Sequence, residues 1–166
     1  MFKKISLLLF LIACSTYAFS ENRVSSKFRG EGLYSWYFLD VYTAKLWADE
    51  KNIYEGNLSL ELEYHRDLKG KDIANRSVAE MRDLGHDDLD YKEVTKVLTK
   101  IFPDVKKGDK ILANYRHKVG IEFLLNKKTR LGQISDVETS KKFLDIWFHK
   151  KTSGKLLKKK LLGLIE

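Results

Sequence analysis

The chain predicts an α+β domain in which helices pack on an antiparallel sheet. Three observations carry that expectation. Leu58, Leu60, Leu62 and Tyr64 alternate with Ser59, Glu61, Glu63 and His65, the period of a strand with one apolar face. Two stretches, 72–84 and 91–101, place apolar residues at helical spacing between start and stop signals. Residues 110–134 then return to short strand-like runs separated by turns.

Taken in order, Val24 to Gly30 and Leu33 to Trp47 read as two strands joined by a turn at Gly30-Glu31-Gly32. The second has large apolar residues at both parities (Trp36, Phe38 and Tyr42 against Tyr37, Leu39 and Val41), which predicts a strand covered on both faces. Leu58 to Tyr64 predicts a half-buried strand with one wet face. Asp72 is positioned to cap a helix to Leu84, whose inward face carries Ile73, Ser77, Met81 and Leu84 and which Gly85 stops. A second helix, Tyr91 to Ile101, starts at Asp90 with Glu93 at capping-box spacing and ends before Pro103. Strands follow at Lys110–Arg116, Gly120–Asn126 and Leu131–Ile134, with Asn126-Lys127-Lys128 as the last turn. Ser135-Asp136-Val137-Glu138 reads as a capping box for a helix to about Phe148, with Phe143, Ile146 and Trp147 on its apolar edge. A final helix, Gly154 to Leu162, is expected to bury Leu156, Leu157 and Leu161 and leave its lysines wet.

Residues 1–20 stand apart. Lys3 and Lys4 precede an apolar run, Ile5 to Ala13, too short to span a bilayer, and Ala18-Phe19-Ser20 suits a signal peptidase. This reads as a secretory signal cleaved after Ser20, leaving 21–166 as a single exported, periplasmic domain. Leu11-Ile12-Ala13-Cys14 also fits a lipobox, so a lipoprotein tethered at Cys14 is the alternative, and only then is a membrane-surface partner implied. Cys14 is the sole cysteine, so the domain has no disulfide and no thiol chemistry. Without Lys3 and Lys4 the formal charge falls from +8 to +6, a moderate excess that suits a solvated lysine-rich surface. No nucleic-acid reader motif is present. The four histidines lack metal-ligand spacing, so no metal and no cofactor are expected. The His86-Asp87-Asp88 run before Asp90 reads as capping material rather than a cation site.

Several motifs occur in a familiar order. Gly30-x-Gly32 leads to Val41-Tyr42-x-Ala44-x-Leu46-Trp47; Phe102-Pro103-x-Val105 with Gly108-Asp109, Phe143-Leu144-Asp145-Ile146-Trp147 and Leu161-Leu162-Gly163 follow. From about Ser26 to Gly163 the chain resembles the bacterial, secreted branch of the chalcone isomerase-like family. The resemblance implies that family's open-faced β-sandwich, an antiparallel sheet with a layer of helices.

The resemblance also bears on chemistry. Plant chalcone isomerases carry an arginine just after the Gly-x-Gly pair; Tyr34 occupies that position. Aligning Gly70 with the family's next glycine puts Ile73 and Glu80 where a tyrosine and an asparagine belong. Without the guanidinium, flavonoid isomerisation is not expected. In the fatty-acid-binding relatives, an arginine and a tyrosine hold the ligand carboxylate above an apolar cavity. Tyr42 matches that tyrosine, so the charge must come from elsewhere, with Arg66 and Arg76 as candidates. Each has a plainer reading: Arg76 as an i,i+4 partner of Glu80, Arg66 as a solvated loop residue near Asp67. Tyr34, Tyr42 and Tyr115 complete the candidate ligand-binding set, against a plainer role as core aromatics. No catalytic residue is assigned.

The expected function is a non-enzymatic domain holding a small apolar or acyl ligand such as a fatty acid. An isomerase or lyase using Tyr34 or Tyr42 as proton donor, and an envelope interaction module, are the alternatives.

Overall fold

The computed structural model describes residues 23–25 and 27–166; the proposed signal segment, Cys14 and Ser26 lie outside them. Six strands form one antiparallel sheet in chain order: β1 (Phe28–Trp36), β2 (Leu39–Ala48), β3 (Leu58–Tyr64), β4 (Lys110–Arg116), β5 (Gly120–Leu125) and β6 (Thr129–Ile134). Helices α1 (Gly70–Asp83) and α2 (Tyr91–Ile101) sit between β3 and β4 in sequence, and α3 (Val137–Phe148) and α4 (Lys155–Leu161) follow β6. The α+β expectation holds. On β2 to β5 one alternating set, such as Leu58, Leu60 and Leu62 on β3 and Ile111, Ala113 and Tyr115 on β4, faces the helices and forms the core.

The first hairpin corrects the expected turn. β1 continues through Gly30-Glu31-Gly32, with a register shift between Phe28 and Gly30, and the chain reverses instead at Tyr37-Phe38, between the paired residues Trp36 and Leu39. The two glycines serve close packing. A Cβ on Gly30 would lie 2.0 Å from the Lys160 carbonyl oxygen of α4, and one on Gly32 would lie 2.8 Å from Leu157 Cδ1. The aromatic run read as one doubly covered strand is therefore the tip and flanks of a hairpin. Its residues Trp36 to Leu39 are exposed. Val24 and Ser25, expected to begin a strand, lie outside any strand.

β3 departs from its expected wet face. Ser59 and Glu61 are buried. β3 is third of six strands, and Val24 N–H donates to Ser59 Oγ at 3.0 Å, which lays the Arg23–Ser25 stretch over this face. Ser59 Oγ donates in turn to Asn114 Oδ1 at 2.7 Å, and Lys127 Nζ stands 3.1 Å from Glu61 Oε2. The Arg23 guanidinium lies 3.9 Å from the Trp47 ring centroid. Ser59, Asn114 and Glu61 are thus partnered, as burial favours, whereas the buried Ser25 Oγ has no hydrogen-bond partner among the described residues. Beyond them the same face carries pairs of opposite charge, including Lys45–Glu31 at 3.1 Å and Lys110–Glu63 at 2.9 Å.

The helix ends show which side chains set them. α1 starts at Gly70, two residues before the expected cap at Asp72, and Asp104 Oδ1 accepts from Gly70 N–H at 3.0 Å. A Cβ on Gly70 would lie 2.0 Å from the Phe102 carbonyl oxygen, so this start is pinned against the end of α2. Gly85, at φ +86°, terminates α1 as expected. Asp90 caps α2, accepting from Lys92 and Glu93 N–H at 3.0 and 3.1 Å. Asp136, rather than Ser135, caps α3 by accepting from Thr139 N–H at 2.7 Å. Asp88 pairs with Lys142, and His86 Nε2 lies 3.0 Å from Asp145 Oδ2, so the acidic turn joins α2 to α3. On α4, Leu157 and Leu161 are buried but Leu156 is exposed, because the short helix turns only one narrow edge to β1. The sheet is irregular near both edges, with register shifts between β1 and β2 at Phe28/Gly30 and Tyr34/Ser35 and between β5 and β6 at Phe123/Leu124.

The close approach at Gly30 makes a graded prediction. Gly30→Ala sets a methyl against backbone and should lower unfolding stability by about 1–3 kcal/mol. Gly32→Ala meets a movable leucine and should cost clearly less. Urea denaturation of both variants checks the order.

Candidate functional site

The helix layer does not close completely on the sheet. Between β1–β5 and helices α1, α3 and α4 lies a cavity of ≈ 520 Å³, within the range of small-molecule sites. Its sheet side is Leu60, Leu62, Ile111, Ala113 and Phe123, and its helix side is Ile73, Phe143, Trp147 and Leu157. Phe123 and Phe143 meet edge to face at 5.4 Å, and Phe143 and Trp147 at 5.5 Å, which gives the inner end a stiff aromatic wall. Polar groups gather at the opposite end, where Arg66, Asp67, Asp72, Arg76 and Ser153 reach solvent.

Four of the five expected site residues line this cavity: Tyr34, Tyr42, Arg66 and Arg76. Tyr34 and Tyr42 are directly paired across β1 and β2, which stacks their rings at 5.0 Å and 17°. Tyr42 Oη accepts from Trp147 Nε1–H at 3.1 Å, and its own O–H has no acceptor among the described residues. Burial pushes the Tyr42 hydroxyl well above the usual phenol value, although the Trp147 hydrogen bond works the other way. Burial does the same to Tyr64, whose ring meets Tyr42 edge-on at 6.1 Å.

The two arginines differ. Arg76 pairs with Glu80 one turn along α1, the plainer of its two readings, yet it also stays on the cavity rim. Partial burial works against the Arg76 charge, but Glu80 and the nearby Tyr34 hydroxyl outweigh it and hold its pKa above the usual value. Ser153 Oγ donates to Glu80 at 3.1 and 3.2 Å, so Glu80 is held from two elements. Arg66 makes no ion pair or hydrogen bond with any described residue. Its expected neighbour Asp67 is taken by Lys106 Nζ and Lys107 N–H, both at 2.9 Å. Arg66 is therefore the cation on the rim with an uncommitted charge.

Tyr115 lies outside the cavity. It is fully buried on β4 nearer α3's first turn, where its hydroxyl has no hydrogen-bond partner among the described residues. Its strand parity matched that of the wall residues, but it sits one repeat beyond them. Sequence reasoning missed Trp147 as a polar contact, Ser153, and the flanking residues Trp36 and Leu39. Trp147 was visible only as an apolar helix edge, and nothing in the sequence singles out Ser153.

The profile of the chalcone isomerase-like family matches residues 21–163. The chain belongs to the chalcone isomerase-like family. No match is found among curated protein sequences. Among solved structures, the chain is similar to a fatty-acid-binding protein from Arabidopsis thaliana, with a TM-score of 0.64 and 12% identity over 86% of this chain and 90% of that one. At that identity the likeness is one of fold: an open six-stranded sheet under one layer of helices, as the family resemblance implied.

Three tyrosines, Tyr64 buried and Tyr42 and Tyr54 half-buried, predict an alkaline limit. Tyr42, Tyr64 and Tyr54 all have folded pKa values raised by burial, while the unfolded chain ionises near pH 10. Their contribution is whole below about pH 10 and is lost progressively above it, since only the unfolded state releases the protons. Phenolate absorbance at these positions should appear together with loss of the far-ultraviolet circular dichroism signal, not before it.

Proposed function

We propose that the protein binds a small amphipathic ligand of the fatty-acid class, with its chain in the cavity and its acid group at the rim. The observation that carries this reading is the combination of an apolar cavity of ≈ 520 Å³ with an unpaired guanidinium, Arg66, at its mouth. The named activity of the similar plant structure supports it. Apolar burial supplies the affinity, and the polar end fixes direction. Arg66 offers a two-pronged contact to a carboxylate, and the Tyr42 O–H remains free to donate a further hydrogen bond within the cavity.

Binding is favoured over proton transfer. Tyr42, a half-buried tyrosine in the cavity lining, is shifted away from neutral pH, which makes it a weak general acid or base. With Tyr34 in place of the arginine, Ile73 and Glu80 both line the cavity wall and supply no substitute guanidinium. We further propose export, supported by Lys3-Lys4 and the apolar run before Ala18-Phe19-Ser20, with a Cys14-linked lipoprotein as the other outcome. The intact mass of the mature protein separates the two.

Calorimetric titration of delipidated protein with fatty acids of graded length tests the main reading. Saturable binding that strengthens with chain length is expected. Arg66→Gln should weaken it about tenfold, the effect of one charge-assisted contact of about 1.5 kcal/mol. Ala113→Phe, which puts a ring into the cavity floor, should abolish it while leaving the circular dichroism spectrum unchanged. Equal binding by wild type and Ala113→Phe would sink the proposal.

A further inference from the structure

The hairpin between β1 and β2 is unusual at its tip. Trp36, Tyr37, Phe38 and Leu39 are 54%, 82%, 98% and 51% exposed, four large apolar residues in succession. Two-residue hairpin loops ordinarily use glycine, asparagine or aspartate, whose backbones accept positive φ. Here Tyr37 takes the first loop position at φ +53°, so an aromatic residue is held where a small one fits more easily. The rest of the hairpin is ordered by pairing from Phe28 to Trp47 and by the Ser35 Oγ to Asp40 hydrogen bond of 2.7 Å. Rigid strands thus present a projecting aromatic point.

That point is continuous with the cavity. Trp36 and Leu39 belong both to the exposed tip and to the cavity lining, followed inward by Val41 and Tyr42. The Arg76 guanidinium lies 5.8 Å from the Trp36 ring centroid, at the boundary between tip and rim. An apolar lining therefore runs inward from Trp36 and Leu39 of the tip, with Arg76 and the Tyr34 and Tyr42 rings along it.

We propose that this hairpin tip inserts into the interface of a lipid bilayer and sets the cavity mouth against the acyl layer. The shape favours lipid over a protein groove: the tip is convex, Phe38 is bare on nearly all sides, and its neighbours are Trp and Tyr, the side chains that settle at headgroup level. Insertion covers the four exposed side chains. It also lets an acyl chain pass from membrane to cavity along Leu39 and Val41 without crossing water. This transfer role rests on the acyl-binding reading above; insertion itself does not.

The chain contains its own reporter. Of its three tryptophans, Trp47 and Trp147 are buried and only Trp36 is exposed. Adding phosphatidylcholine vesicles, with or without phosphatidylglycerol, to the full mature protein should shift tryptophan emission to the blue. Bromine-labelled lipids should quench it. Trp36→Phe should remove the shift, and Phe38→Ser should weaken vesicle binding at least tenfold while retaining fatty-acid binding in vesicle-free buffer. Ala113→Phe should still bind vesicles. Emission unmoved at millimolar lipid, or Phe38→Ser binding vesicles like wild type, would overturn the proposal. So would a concentration-dependent dimer in sedimentation that Phe38→Ser dissolves, with no response to lipid, since the tip would then meet a second copy. If vesicles bind but no fatty acid does, insertion stands and the acyl-binding reading, with transfer, falls.

Discussion

A single sheet with helices on one side depends on how near those helices can come. At the β1 edge, α4 approaches until its Lys160 carbonyl would be 2.0 Å from any Cβ at position 30. Only glycine permits that distance. The contact seats Leu157 over the sheet, and Leu157 is one wall of the cavity. A second point of close approach, Gly70 beneath the Phe102 carbonyl, fixes the start of α1 and so the line of Ile73, Arg76 and Glu80. Between these two pins the helix layer spans the sheet without filling it. The cavity is the space left by packing rules at its margins, lined by aromatic rings that cannot collapse into it.

Much of this was legible from the residues. Alternation in β3, the caps at Asp90 and the stop signals at Gly85 and Pro103 were written locally, and the elements formed where those signals lay. The errors share one physical origin. Backbone freedom at Gly30-Glu31-Gly32 suggests a turn, whereas the glycines answer to a neighbour more than a hundred residues away. The polarity of Ser59 and Glu61 is local and predicts a wet face, while their burial comes from strand order and from Arg23–Ser25 crossing that face. The leucine stripe of α4 puts Leu156 in the core, though a helix of seven residues has little room for a wide buried face.

The site was legible in outline for the same reason. Tyr34 and Tyr42 were found through motif position, and their pairing across two strands follows from the hairpin register. The arginines were found through charge, which does not reveal partners. Arg76 is committed to Glu80, itself held by Ser153, and Arg66 is left over because Lys106 and Lys107 take Asp67. Which cation is available is thus decided by residues far along the chain. Tyr115 shows the converse: the correct residue type and strand parity, one repeat too far from the opening.

An open sheet has two rims that can recruit further strands. Here the shifts of register at Tyr34/Ser35 and Phe123/Leu124 break the straight run of backbone donors and acceptors at or beside each outer strand. Along β6, Arg130 holds Glu122 at 2.7 Å, and ionic side chains crowd the approach. Such rims make poor templates for β-pairing. The fold can therefore expose an aromatic hairpin at one corner while its sheet rims offer little for a further strand to pair with.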